Sequence, residues 1–425
     1  MPSLLPYGRQ SVNDADIAAV CEVLRSDFLT CGPKVEEFEH HFATSVGAKH
    51  AVAVNSATSA LHLAMRAAGV GPGDRVITSP NTFLASANCA AFVGAIPDFA
   101  DIDADSYNLD PAALERAWQC DTKAVVAVDY AGQSCDFPAI AAIARQRGAL
   151  VIEDACHGVG GGFTHDGKVW KHGGHPWADM TVFSFHPVKT MTTGEGGMLV
   201  TDNKEYARRA RLLRSHGMER DSSRFVGLDS RPDFQLSAEA LRDSAGAKAV
   251  GATDTFNSQL SEHGPWYYEM QDLGYNYRIT DIQCALGLSQ LARLDEFLQH
   301  RREIVTRYNE AFAALPFLKT PQLSPFNSQH LVSWHLYTVL IDFVAIGKTR
   351  TTVMEELRVR GVGSQVLYIP VYLQPWYRQT YGYEPGKCPN AESFYAQALS
   401  LPLYPVLSDD DVLRVIQAVK DVVGV

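Results

Sequence analysis

Between residues 50 and 215 the chain alternates short apolar runs with helical patterns of ten or more residues, and few architectures satisfy that alternation. The runs fall at 51–54, 75–79, 123–128, 149–153, 179–184 and 197–201, and the clearest helices at 57–69, 84–93, 138–147 and 203–213. Apolar runs without polar alternation suit strands buried on both faces, and helices interposed between them make successive strands parallel. The expectation is an α/β fold with a mostly parallel central sheet, helices on both faces, and ligands at the carboxyl ends of the strands. Ser56, Asp154 and Ser184 all stand at such ends.

Past residue 270 the pattern changes to a long helical stretch from Thr280 to Ala314, then to short strands and helices up to Val425. That reads as a smaller α+β C-terminal domain. The expected division is an N-terminal arm at 1–35, a large domain at 36–270 and the small domain at 271–425. Two stretches interrupt it. Residues 220–266 are polar and poorly periodic, and read as an insertion that covers a site or enlarges a subunit contact. Residues 162–179 are rich in Gly, His and Trp, and His165, His172 and His175 cluster there without a paired ligand motif. A solvated hairpin is expected, and no metal site.

Size and charge narrow the function. No apolar run approaches the ~18 residues of a membrane span, and the opening Met1 to Tyr7 lacks a basic region followed by an apolar stretch, so the cytosol is the expected compartment. With 37 basic against 48 acidic residues the formal charge is −11, which argues against a general nucleic-acid or anionic-membrane surface. An anionic ligand needs local donors. The eight cysteines include no CxxC pair; Cys156 reads as a small apolar filler.

The chemistry concentrates around Lys189. Phe183-Ser184-Phe185-His186-Pro187-Val188-Lys189-Thr190 runs into Thr192-Thr193-Gly194-Glu195-Gly196-Gly197. An apolar strand ending in Ser, then a Lys and a Gly-rich turn, suits an enzyme that holds pyridoxal phosphate as a Schiff base, with the lysine on the aldehyde and the serine on the phosphate. Upstream, Val151-Ile152-Glu153-Asp154-Ala155-Cys156-His157 puts a carboxylate at a strand end, where the partner of the pyridine nitrogen belongs. Asn55-Ser56-Ala57-Thr58-Ser59-Ala60-Leu61 opens a helix with small hydroxylated residues, a place where unpaired amides and the helix dipole favour a phosphate. The same residues would also serve as an ordinary N-cap. Phe83, just after a strand, is the candidate plate over the pyridine ring, with a core Phe as the competing reading. His186 reads as a structural hydrogen-bonding residue.

These segments, with Leu29-Thr30-Cys31-Gly32-Pro33, Arg214-Ser215-His216-Gly217 and Gly274-Tyr275-Asn276-Tyr277-Arg278-Ile279-Thr280-Asp281-Ile282-Gln283, make the chain resemble the sugar aminotransferases of the DegT/DnrJ/EryC1/StrS family, of the aspartate-aminotransferase fold type, fold type I. Within that family it is similar to the transaminases of pseudaminic acid synthesis. Val128-Asp129-Tyr130-Ala131-Gly132-Gln133, which has Asp129 where many relatives carry a histidine, Trp334-His335-Leu336-Tyr337 and Gln365 to Tyr372 carry that closer likeness.

The resemblance implies a homodimer with composite sites, in which Asn276 crosses to the neighbouring subunit's cofactor phosphate. It implies that Tyr7, the Phe28-Leu29-Thr30 turn, Ser56 and the His335-Leu336-Tyr337 segment contact a nucleotide sugar, and that His157 bonds the cofactor's phenolic oxygen. Ser56, Ala57, Thr58, Ser59, Phe83, Asp154, His157, Ser184 and Lys189 complete the expected cofactor site, with Lys189, Asp154 and His157 as the catalytic set. The implied reaction moves an amine from L-glutamate to a 4-keto sugar, UDP-2-acetamido-2,6-dideoxy-β-L-arabino-hex-4-ulose. A different nucleotide or amination at C3, a dehydratase with histidine in place of the lysine, and a noncatalytic relative are the alternatives; Lys189 disfavours the last two.

Overall fold

The computed structural model describes residues 4–226 and 266–424, so most of the expected insertion lies outside the described residues. The first strands are β1 (His50–Val54), β2 (Arg75–Thr78), β3 (Ile96–Phe99), β4 (Thr122–Val128), β5 (Leu150–Asp154), β6 (Gly162–His165), β7 (Lys168–Lys171), β8 (Met180–Ser184) and β9 (Gly197–Thr201). All but the β6–β7 hairpin join one sheet, in the order β1-β9-β8-β5-β4-β2-β3. β8, β5, β4, β2 and β3 are mutually parallel; helices form the crossovers between β2, β3, β4 and β5, and the β6–β7 hairpin lies in the crossover from β5 to β8. β9 alone runs antiparallel to both neighbours, because no helix separates it from β8; the connection is the turn that carries Lys189. The mostly parallel sheet expected from the alternation is the one observed. β3, absent from the sequence reading, is an edge strand of four residues in which Pro97 is tolerated.

The helices α1 (Asp14–Leu24), α2 (Pro33–Val46), α3 (Ala57–Ala68), α4 (Ala85–Phe92), α5 (Pro111–Ala117), α6 (Phe137–Gln146) and α7 (Lys204–Arg214) accompany the sheet. One apolar cluster joins Phe38 and Phe42 of α2 to Phe183, Phe185 and Met198; another joins Val125 and Val151 to Phe137 and Ile140 of α6. The sheet is thus buried on both faces, as parallel strands require.

The chain divides into two compact units, Met1–Ala210 with Tyr277–Val425, and Arg211–Asn276. In the second, β10 (Met218–Glu219) pairs antiparallel with β11 (Glu269–Met270), and Ser215 bridges Asn276. In the first, the helical stretch past residue 280 is α8 (Asp281–Leu291) and α9 (Leu294–Phe312). Thr280 and Gln283 close a reciprocal capping box that sets where α8 begins. A small antiparallel sheet of β12 (Leu318–Lys319), β13 (Tyr337–Ile341) and β14 (Ala398–Leu401) packs with Tyr308, Phe312, Val353, Val415 and Val419 into a further core. The N-terminal arm joins these elements: Leu5 exchanges backbone hydrogen bonds with Gly361 and Gly363, and Asp16 of α1 accepts from Gln290 of α8.

Candidate active site

The register of three strands brings the candidate residues together. Gly197 opposes Val54 of β1 on one side and Ser184 of β8 on the other, so β1 and β8 end at the same sheet edge. A Cβ on Gly197 would lie 2.5 Å from the Ala57 nitrogen, well inside contact distance, so only glycine lets the start of α3 settle beside Ser184. Ser56 caps α3 by accepting from the Ser59 amide at 3.1 Å, and with Ala57 and Thr58 it also lines a cavity of about 400 Å³ at this edge. The capping and ligand readings of this segment are therefore compatible. The opening of α3 presents backbone N–H groups and a positive dipole end to the cavity.

Lys189 and Asp154 line the same cavity. Burial lowers the Lys189 pKa, against the opposing influence of Cys156 and Asp154, which enlarges the fraction of neutral amine able to attack a carbonyl or take a proton. Asp154 stands at the end of β5 in line with Val128 and Val182 on the neighbouring strands. Ser86 donates to its Oδ2 at 2.6 Å and the Cys156 amide to its Oδ1 at 3.2 Å; the Ser86 hydroxyl in turn meets Thr82 at 2.7 Å. Ser86 stands in the first turn of α4 and Thr82 in the loop before it, so the Thr82 hydroxyl supports the Ser86 hydroxyl that reaches the carboxylate. Burial raises the Cys156 thiol well above its ordinary range, in keeping with an inert filler.

His157 has a defined tautomer. Its Nδ1 accepts from the Ala131 amide at 3.2 Å, and burial, reinforced by Lys189, keeps the ring neutral by pulling its pKa well below the usual value. The remaining proton therefore sits on Nε2, 3.2 Å from the Tyr368 hydroxyl. His335 packs against the His157 ring at 4.4 Å between centroids. Phe83 is 57% exposed, which excludes the core reading; it stands on the cavity wall 6.3 Å from the Tyr368 ring.

The structure gathers Tyr7, Ser56, Ala57, Thr58, Phe83, Asp154, His157, Ser184 and Lys189 around one cavity. Ser59 is buried behind it, donating to Asn55 at 2.6 Å. Phe28, Leu29 and Thr30 form an exposed turn anchored by the Thr30–Thr280 bridge, away from the cavity lining. Leu336 and Tyr337 also lie off it: both are packed in cores, and the Tyr337 hydroxyl donates to Asn309 at 2.7 Å. Asn276 belongs to the other unit. Ser86 and Tyr368 are site residues absent from the sequence-based set. Nothing local marks Tyr368, and Ser86 reaches Asp154 from 68 positions away.

The expectation of a solvated histidine hairpin needs correction. His165 does lie on the β6–β7 hairpin, but His172 and His175 are buried. His172 Nδ1 is 2.8 Å from Glu153 and 3.0 Å from Asp129, and His175 Nε2 is 3.2 Å from Glu153. Their partners are Glu153 of β5, 19 positions before His172, and Asp129, the residue that follows β4.

The residues fit pyridoxal phosphate by the chemistry of their donors. Ser184 and the start of α3 would hold the phosphate, Asp154 a protonated ring nitrogen, the His157 Nε2–H a phenolic oxygen, and Lys189 the aldehyde carbon. When bound, that cofactor supplies an electron-accepting ring. The comparisons agree. A curated relative, the spore coat polysaccharide biosynthesis protein SpsC of Bacillus subtilis (strain 168), is 43% identical over 420 residues, 99% of this chain and 97% of the relative. Among solved structures, Helicobacter pylori PseC, described as an aminotransferase involved in the biosynthesis of pseudoaminic acid, superposes with a TM-score of 0.81 at 30% identity and 99% coverage of both chains. The PLP form of a sugar aminotransferase, Spr1654 from Streptococcus pneumoniae, superposes with a TM-score of 0.81 at 28% identity, covering 99% of this chain and 98% of that one. The family profile itself matches residues 10–420, and the chain belongs to the DegT/DnrJ/EryC1/StrS aminotransferase family, with pyridoxal phosphate as its cofactor.

Proposed function

We propose that this enzyme transfers an amine from L-glutamate to C4 of a UDP-linked 4-keto-6-deoxy-N-acetylhexosamine, the L-arabino ulose, yielding a 4-amino sugar for a surface glycan such as pseudaminic acid. The convergence of Lys189, Asp154, His157 and the opening of α3 on one cavity carries the transaminase half of this reading. The likeness to PseC over the full chain supports the substrate half.

The chain's own residues divide the work. Lys189, its pKa lowered by burial, would be the base that takes the proton from the donor's alpha carbon and later returns one to the sugar's C4. Asp154, oriented by Ser86, favours a protonated ring nitrogen. His157 donates one hydrogen bond and stays neutral. Tyr7 and Phe83 are assigned to the sugar and the ring face, respectively. The exposed Phe28 to Thr30 turn and Asn276 are assigned to a neighbouring subunit's site in a cytosolic homodimer.

The test is an absorbance spectrum of the holoenzyme, followed through addition of L-glutamate and then of the UDP-keto sugar. Bleaching of the lysine-bound cofactor by glutamate, its restoration by the sugar and a 4-amino product are expected. Bleaching without restoration would leave the aminotransferase and discard this sugar.

A further inference from the structure

Glu153 and Asp154 are consecutive on β5, and strand alternation turns them to opposite faces. Asp154 meets the cavity; Glu153 enters an enclosed cluster with Asp129, His172 and His175, all buried. None of the four is used in the transamination described above.

In both carboxylates one oxygen is held by backbone or hydroxyl donors and the other is not. Glu153 Oε2 accepts from the Thr181 hydroxyl at 2.7 Å and the Gly173 amide at 2.9 Å, and lies 3.2 Å from His175 Nε2. Asp129 Oδ1 accepts from the Cys135 amide at 3.0 Å. The remaining oxygens, Glu153 Oε1 and Asp129 Oδ2, both face one atom, His172 Nδ1, at 2.8 and 3.0 Å. That nitrogen has at most one proton, and its hydrogen bond goes to Glu153; Asp129 Oδ2, fully buried, has no hydrogen-bond partner. A buried carboxylate oxygen without a hydrogen bond is costly, and here only the His172 ring at 3.0 Å opposes its charge.

We propose that Asp129, Glu153 and His172 bind a divalent transition-metal ion of the zinc class, each through a single atom. Imidazole with two carboxylates suits zinc and its late first-row neighbours rather than calcium or magnesium. Bonds of about 2.0–2.1 Å place tetrahedral ligands about 3.3 Å apart, so the set must open by a few tenths of an ångström. The donors on Glu153 Oε2 and Asp129 Oδ1 orient the carboxylates as outer-shell partners do. A cleft of about 340 Å³ is lined by Gly173, His175 and Thr181, which contact Glu153, but not by the three ligands themselves, so the ion is taken up as the 172–175 turn closes over them. The ion ties the ends of β4 and β5 to the 172–175 turn, one residue behind the catalytic Asp154.

The test measures metal in tag-free holoenzyme by mass spectrometry, then zinc uptake by equilibrium dialysis after exposure to a chelator. About one ion per chain is expected in the wild type, together with a zinc-dependent rise in Tm. Asp129→Asn and His172→Asn should lose both effects. A wild type that takes up no ion would overturn the proposal, and so would variants that keep the wild-type stoichiometry, since the ion would then sit on exposed histidines such as the His40–His41 pair. If the variants do not fold, X-ray absorption at the zinc edge of the wild type decides: one imidazole with carboxylate oxygens supports the site, and any other protein ligand set rejects it. Chelator-resistant folding with no bound zinc means that a proton on His172 occupies the place assigned to the metal.

Discussion

The two consecutive carboxylates of β5 occupy opposite kinds of site. Asp154 looks onto a cavity, where Ser86 and the Cys156 amide orient it and space remains for a ligand. Glu153, one residue earlier, is closed in on every side by Thr181, Gly173, His172 and His175. The first arrangement keeps a polar face available at the cost of stability; the second uses the same type of side chain to join strands to a turn. Substitutions on the cavity side should therefore change turnover with little change in folding, and substitutions on the buried side should do the reverse.

The sharpest break on the cavity side is Lys189→Ala. Loss of the amine should lower turnover by about three orders of magnitude or more and remove the absorbance of lysine-bound cofactor, while the denaturant midpoint stays close to wild type. On the buried side, Glu153→Ala removes the carboxylate that faces both His172 and His175 and should cost about 3–5 kcal/mol in urea unfolding. Similar stability losses in both variants would erase the distinction between the two faces.

Ser86→Ala tests whether Asp154 needs its orienting donor. A hydrogen bond to a charged group is worth about 1.5–3 kcal/mol, so kcat should fall by roughly 10- to 100-fold with cofactor still bound. Gly197→Ala places a methyl group against the opening of α3, and a strain of about 1–3 kcal/mol should appear as weaker cofactor retention in dialysis.

The smallest effect concerns the buried His62. Burial, aided by Arg66, lowers His62 to about 4, whereas His172 is pushed up to about 10 because Asp129 and Glu153 outweigh its burial. Because the folded state disfavours His62 protonation, its contribution is intact above the unfolded value of 6.5 and is lost as pH falls from there to about 4. His62→Gln should flatten the pH dependence of the denaturation midpoint across that window.

Local pattern made much of the molecule legible. β1, β2, β4, β5, β8 and β9 and helices α3, α4, α6 and α7 follow from apolar runs and 3.6-residue periodicity, which act within a few residues of chain. β3 escaped because four residues containing a proline carry too little pattern, and α5 because seven residues span only two turns. At the site, Lys189, Asp154, Ser184 and the opening of α3 were legible because each lies at a strand end or helix start that the sequence itself marks.

Contacts between distant segments were not legible. Tyr368 reaches His157 across 211 positions, and His172 finds Asp129 and Glu153 only after β4, β5 and the following turn are packed. The order of residues along this chain determined its alternating architecture and the lysine-centred chemistry, since both depend on short-range spacing. Which polar groups face the ligand and which are sealed together was decided by sheet register and packing, because those alone bring together side chains that the backbone keeps far apart.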